Sequence, residues 1–198
     1  MEKPRILVEL KTQTRPQHDS VEQNVYGKSL MDGSMSLQQY REFLEKFYGF
    51  HVPLEQAMAR LSWDSVGINF DERRKIAFLK QDLHSLGLTD DDINRLPLTN
   101  DLPPIATMED ACGVMYVMEG STLGGQIQAR QVQKMFGLTS ENGAAYFSSY
   151  GANVGAMWKA CCEAIALVAR DDIAQEASII QSAKETFAAL ERWLKSAR

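Results

Sequence analysis

Apolar residues recur at spacings of three and four along almost the whole chain, and no stretch alternates convincingly as a half-buried strand does. That periodicity predicts an all-α protein. From Ser36 onward, Leu37, Tyr40, Phe43, Leu44, Phe47, Phe50 and Leu54 mark one helix face. Ser36-Leu37-Gln38-Gln39 is its capping box, and Pro53 is positioned to bend it. An earlier helical segment runs from about Ile6 to Tyr26 and closes at Gly27. Pro16 kinks or divides it, with Thr14 as a candidate internal cap. A third helix is expected from Asp71 to Leu86, stopping at Gly87, and Thr89 caps a short one. Leu96 to Pro104 holds three of the six prolines and reads as a loop. Thr107, with Asp110 in the capping-box position, then opens a long helix ending near Gly137. A short helix follows Thr139, another covers Ala152 to Val168, and the last runs from Asp171 or Asp172 to about Leu194. The expectation is a single all-α domain over residues 1–198, with about seven or eight helices in a bundle.

The long helix carries Gly120-Ser121-Thr122-Leu123-Gly124-Gly125-Gln126 in its interior. Each glycine weakens a helix by roughly 1 kcal/mol relative to alanine. Glycine and serine are also common causes of kinks. Such a segment suits a flat or bulky group lying against the main chain, or equally a close helix–helix crossing. Met115 and Met118 just before it read as core filler.

Composition narrows the function. A chain of 198 residues buries roughly 70% of its unfolded surface without staples. Net charge is −5, which disfavours bulk nucleic-acid binding. Cys112, Cys161 and Cys162 are odd in number and lack metal-ligand spacing, so they read as reduced thiols. No signal core opens the chain and no uninterrupted apolar run reaches the ~18 residues of a membrane span. A cytoplasmic protein with no membrane partner is expected. Arg73-Arg74-Lys75 reads as a solvated helix face, with docking of an acidic electron donor as a weaker alternative.

The three histidines are His18, His51 and His84. No Glu-x-x-His pair, His-Glu-x-x-His motif or zinc-type Cys/His cluster is present. A bound metal would therefore be held by one histidine within a larger cofactor, and haem with one proximal histidine fits. His18 is the best candidate. Glu22 follows at i+4, where a carboxylate can fix the imidazole's tautomer. Lys11 lies two turns earlier on the same face if the helix continues through Pro16. On its own, a lone histidine is more often an incidental polar residue. His51 reads as partly buried and structural, His84 as solvated.

His18 and the glycine segment together resemble the haem oxygenase family. Glu9 to Asn24, with its Lys-x6-His-x3-Glu arrangement, is similar to that family's proximal helix. Tyr116-Val117-Met118-Glu119-Gly120-Ser121-Thr122-Leu123-Gly124-Gly125 resembles its distal helix, most closely in bacterial members associated with bacteriophytochromes or iron acquisition. Phe47-Tyr48-Gly49-Phe50 ahead of Pro53-Leu54-Glu55, and Ala183-Lys184-Glu185-Thr186-Phe187, extend the resemblance along nearly the whole chain.

The resemblance implies a haem oxygenase-like helical bundle that opens haem to biliverdin, carbon monoxide and iron. Haem is both substrate and cofactor, and the electrons come from a donor such as a ferredoxin or a flavin reductase. A bacteriophytochrome is an implied biliverdin acceptor. His18 would ligate iron with Glu22 as its partner; Lys11, Lys159 and Tyr116 would meet the propionates, Tyr116 one position off the mammalian pattern. Gly120 and Gly124 would lie over the distal haem face, and Gly125 would allow close packing behind it. Where mammalian members carry a distal aspartate, this chain has Ser121, which would position water without a charge, together with carbonyls freed at a kink. Ser121 keeps open a second reading, a non-catalytic haem-binding or haem-delivery protein. A third is a thiaminase-like enzyme whose catalytic thiol is Cys112, Cys161 or Cys162.

Overall fold

In the computed structural model, which describes residues 4–196, α-helices and short 3-10 turns make up the regular structure, with no strand among the described residues. The helices are α1 (Arg5–Gln13), α2 (Arg15–Glu22), α3 (Val25–Asp32), α4 (Leu37–Met58), α5 (Ile76–Ser85), α6 (Asp90–Asn94), α7 (Met108–Phe136), α8 (Ala145–Ser148), α9 (Val154–Ala169) and α10 (Ile173–Lys195). Among the described residues ten stand where the periodicity suggested about seven or eight, because the segment expected as one helix from Ile6 to Tyr26 divides into α1, α2 and α3.

The N-terminal division has a local cause. Pro16 is the second residue of α2 and has no N–H to give the Thr12 carbonyl. Thr14 occupies the junction, but its hydroxyl bonds back to Leu10 O at 2.7 Å rather than capping α2. Gly27 does not close the segment; it lies inside α3. Asn24 caps that helix by accepting from Tyr26 N and Gly27 N, and Gly33, at φ 80°, ends it.

Capping boxes form at Ser36, Thr89 and Thr107 as the sequence signals. Leu37, assigned to the apolar face, is instead 49% exposed at the first turn of α4. The helix expected from Asp71 begins only at Ile76, because Asp71–Arg73 is a 3-10 turn and Arg74 is extended (φ −66°, ψ 137°).

α7, 29 residues long, is the central element and packs most extensively on α10 and α9. The approach to α10 is close at Gly113, where a Cβ would stand 2.5 Å from Ile179 O. α7 is helical without interruption through Gly120–Gly125. The span Gly151–Ala169, which includes α9, has a mean hydropathy of 1.2 over 19 residues and is long enough to cross a membrane. Asn153, Lys159 and Glu163 interrupt its apolar run. Cys161, Ile165 and Val168 are buried core residues.

Candidate functional site

The glycines of α7 divide into two kinds. A Cβ at Gly125 would lie 2.6 Å from Phe147 O, so the adjoining backbone requires glycine there. At Gly124 a Cβ would meet nothing within 4 Å. At Gly120 it would meet only the Trp158 ring at 3.7 Å, an ordinary contact. Close helix packing therefore accounts for Gly125 and leaves Gly120 and Gly124 unexplained. With Leu123 (46% exposed) and Ile127 (53% exposed) they form an i, i+3, i+4, i+7 stripe that is apolar and lies low on the backbone. A flat apolar macrocycle fits such a face. Ser121 is exposed, and its hydroxyl donates to Met118 O at 2.7 Å, leaving its lone pairs available.

Tyr116 and Trp158 flank this face. Their rings are 5.7 Å apart, and Tyr116 is half-buried. Burial pushes its phenol above the usual range, with the Thr14 hydroxyl as a smaller opposing influence. Trp158 was missed in the sequence, where it stands beside the lysine that drew notice.

His18, on α2, is half-exposed, with its ring edge-on to Phe187 at 5.9 Å. Ser20 ties the helix to α10 by donating to Glu191 at 2.6 Å. Glu22 Oε1 stands 3.7 Å from Nε2, longer than a hydrogen bond, and Asp19 Oδ1 is 3.5 Å from Nδ1. Each ring nitrogen thus has a carboxylate nearby, so either can be left to a metal while the other is oriented. Asp19 was not singled out in the sequence. It is held below the usual carboxylate range chiefly by the hydrogen bond from Arg15. One ligand atom from each of His18, Asp19 and Glu22 lies within 4.8 Å of the others, a set able to hold a metal ion.

The lysines are less gathered. Lys11 is exposed on α1, and the break at Thr14 removes the continuous helix that would have aligned it with His18. Lys159 is exposed on α9, 3.6 Å from Glu163.

Behind α7 lies a buried charged cluster that sequence reasoning missed. Arg73 and Lys75, read as a solvated face, are 7% and 3% exposed; of the three cations only Arg74 has the surface character expected. Arg73 Nη1 donates to Glu119 Oε2 at 2.7 Å, and Tyr150 donates to Glu119 Oε1 at 2.6 Å. Lys75 Nζ donates to the Tyr150 hydroxyl and lies 3.6 Å from Glu119. Burial pushes the Lys75 ammonium down to about 8 against the pull of Glu119. His51, fully rather than partly buried, bonds Tyr146 at 3.1 Å and stands 3.4 Å from Glu55. A cavity of about 30 Å³ is lined by His51, Glu55, Arg73, Lys75 and Glu119 among others. His84 is exposed, near Asp90 at 3.2 Å.

Two of the three cysteines, Cys112 and Cys161, are buried and lack nucleophilic character. Burial pushes the Cys112 thiol up to about 12 and Cys161 well above its usual value. This removes the support for the thiaminase-like reading from those two residues.

A sequence profile described as "Heme oxygenase" matches residues 5–196. A heme oxygenase of Xanthomonas campestris pv. campestris (strain 8004) is 30% identical over 108 residues, covering 54% of this chain and 61% of the relative. The match thus spans about three fifths of that curated relative's length. The fold is similar to the NO- and CO-bound heme oxygenase of Neisseria meningitidis, with a TM-score of 0.78, 24% identity and coverage of 97% and 93% of the two chains. It is also similar to heme oxygenase of Leptospira interrogans (TM-score 0.74, 18% identity, 96% and 98% covered). A third similar structure is heme oxygenase-1 of Synechocystis in complex with heme (TM-score 0.75, 18% identity, 96% and 90% covered).

Proposed function

The chain belongs to the haem oxygenase family, and from that premise we propose that it oxidatively opens haem to biliverdin, carbon monoxide and iron, using dioxygen and external electrons. The observation that carries this reading is the open stripe at Gly120 and Gly124, where the protein leaves the helix backbone uncovered without a packing reason. Bound haem supplies the iron that activates dioxygen and is itself the molecule consumed.

The chain's residues hold and orient it. His18 is the iron ligand through one ring nitrogen, and the carboxylate beside the other, Glu22 at Nε2 or Asp19 at Nδ1, orients the imidazole. Lys11, Lys159 and Tyr116 meet the propionates. Gly120 and Gly124 let the distal helix lie close to the ring, and Gly125 keeps that helix against the segment at Phe147. Ser121 offers lone pairs to a water on the distal side. The protein acts as one domain in the cytoplasm, without nucleic acid or membrane. A ferredoxin or flavin reductase delivers electrons, and a bacteriophytochrome is a candidate acceptor for the product. The Arg73–Lys75 run does not serve as the donor's docking surface, because two of its three cations are buried.

Haem, a reducing system and dioxygen are added to the purified protein and the absorption spectrum is followed. Loss of the Soret band with appearance of biliverdin is expected. A persistent Soret band without biliverdin overturns catalysis and selects the haem-binding or haem-delivery reading, which the absence of a distal carboxylate at Ser121 favours.

A further inference from the structure

The glycine segment of α7 begins one residue after a buried and multiply bonded carboxylate. Glu119 is 2% exposed, and three separate parts of the fold converge on its carboxylate. Arg73, at the end of the 3-10 turn 71–73, donates at 2.7 Å. Tyr150, just ahead of α9, donates at 2.6 Å. Lys75, at the start of α5, stands at 3.6 Å and donates to the Tyr150 hydroxyl and to Arg73 O. Arg73 also reaches Met157 O on α9 at 3.3 and 3.4 Å, so one guanidinium joins α7 to α9.

Stability alone does not account for this arrangement. Buried ion pairs are often no better than well-packed apolar residues, because desolvating the charges offsets their attraction. Such pairs do supply short, directional bonds that fix an orientation. α7 needs that fixing here, since glycines at 120 and 124 remove side-chain packing and, with Gly125, helix propensity from the next turn and a half.

We propose that Glu119 is a positioning residue: through Arg73, Tyr150 and Lys75 it sets where the Gly120–Gly124 face stands relative to α9 and Trp158, and so how closely the distal backbone approaches haem. The catalytic half of this inference rests on the oxygenase reading, whereas the structural half does not.

Two variants test it. Glu119→Gln removes the charge at constant shape. Tyr150→Phe, at a half-buried position, removes one hydroxyl and guards against failure of the first to fold. In the haem-free protein, amide exchange over residues 118–124 is expected to quicken about tenfold in either variant, with residues 179–190 of α10 unchanged. In the haem complex, kcat is expected to fall about tenfold while haem affinity stays within about threefold. Unchanged exchange over 118–124, or exchange quickened across the whole protein, overturns the proposal. So does an unchanged kcat in the variants of an active wild type, or a loss that merely follows haem affinity. A wild type that binds haem without cleaving it sinks the oxygenase reading instead, and the exchange rates still decide whether Glu119 positions the helix.

Discussion

Gly124 and Gly125 are chain neighbours under opposite constraints, and that contrast makes the distal face testable one methyl at a time. Gly125→Ala drives a Cβ to 2.6 Å from Phe147 O, a backbone atom that cannot swing aside. Overpacking of this kind costs about 1–3 kcal/mol, and a lower denaturant midpoint is expected. Gly124→Ala meets no protein atom within 4 Å and gains helix propensity, so the fold should strengthen by up to about 1 kcal/mol. The same methyl projects from the proposed haem-facing stripe, and biliverdin formation should drop about tenfold. Equal stability changes in the two variants would contradict the division, and full activity in Gly124→Ala would take that residue out of the site. His18 and these glycines stand out in the sequence as candidates because their patterns are local, a carboxylate four residues after a histidine and a run of helix-weakening glycines. Glu119, Arg73 and Lys75 could not. Their burial depends on a pairing 46 positions apart, and in isolation a run of three cations carries the pattern of a solvated face.

Caps show the same division among the elements. Ser36, Thr89 and Thr107 start their helices with partners three residues on, so those boundaries were legible. The break at Thr14 was half legible, since Pro16 announced it, but Gly27 misled because Asn24 three residues earlier restarts the helix. α8 was placed only loosely after Thr139, because its cap comes from α5: Asp82 accepts from Ala145 N at 2.7 Å and Tyr146 N at 2.8 Å. Burial pushes that carboxyl up to about 6 from 3.8, outweighing the two hydrogen bonds that favour the charge. The sign follows from proton counting. Between those values the folded state binds more protons than the unfolded chain, so this group's stabilisation is fully present below about pH 4 and is lost as pH rises through 6. Asp82→Asn does not titrate. The unfolding free energy of wild type minus that of Asp82→Asn should therefore shrink by about 2–3 kcal/mol between pH 4 and pH 7. Denaturant titrations of both proteins at the two pH values check this, and a difference that is constant or grows with pH would refute the assignment.

At the scale of the whole molecule, the proposed ligand joins parts of the fold that have different supports. α2 packs on α10, and α7 packs on α10 and α9. A haem held by His18 on α2 and lying on the open stripe of α7 adds a tie between them that exists only in the folded protein. Mass action then raises apparent stability, by about 2.7 kcal/mol at a free haem concentration 100 times the dissociation constant. For a chain of 198 residues, with about 2–4 °C per kcal/mol, the thermal midpoint should rise by roughly 5–10 °C. The size of the shift in variants locates the ligand. His18→Ala should remove most of it, because the half-exposed imidazole is the one anchor on α2 that the proposal assigns to the iron. Lys11→Ala and Lys159→Ala should each remove a small part, since exposed cations contribute only about 0.2–1 kcal/mol, and that part should fade in high salt. Thermal melts with and without haem, at low and high ionic strength, separate these contributions. A shift undiminished in His18→Ala would put the iron on another residue, and one undiminished in both lysine variants would leave the propionates without the partners assigned to them.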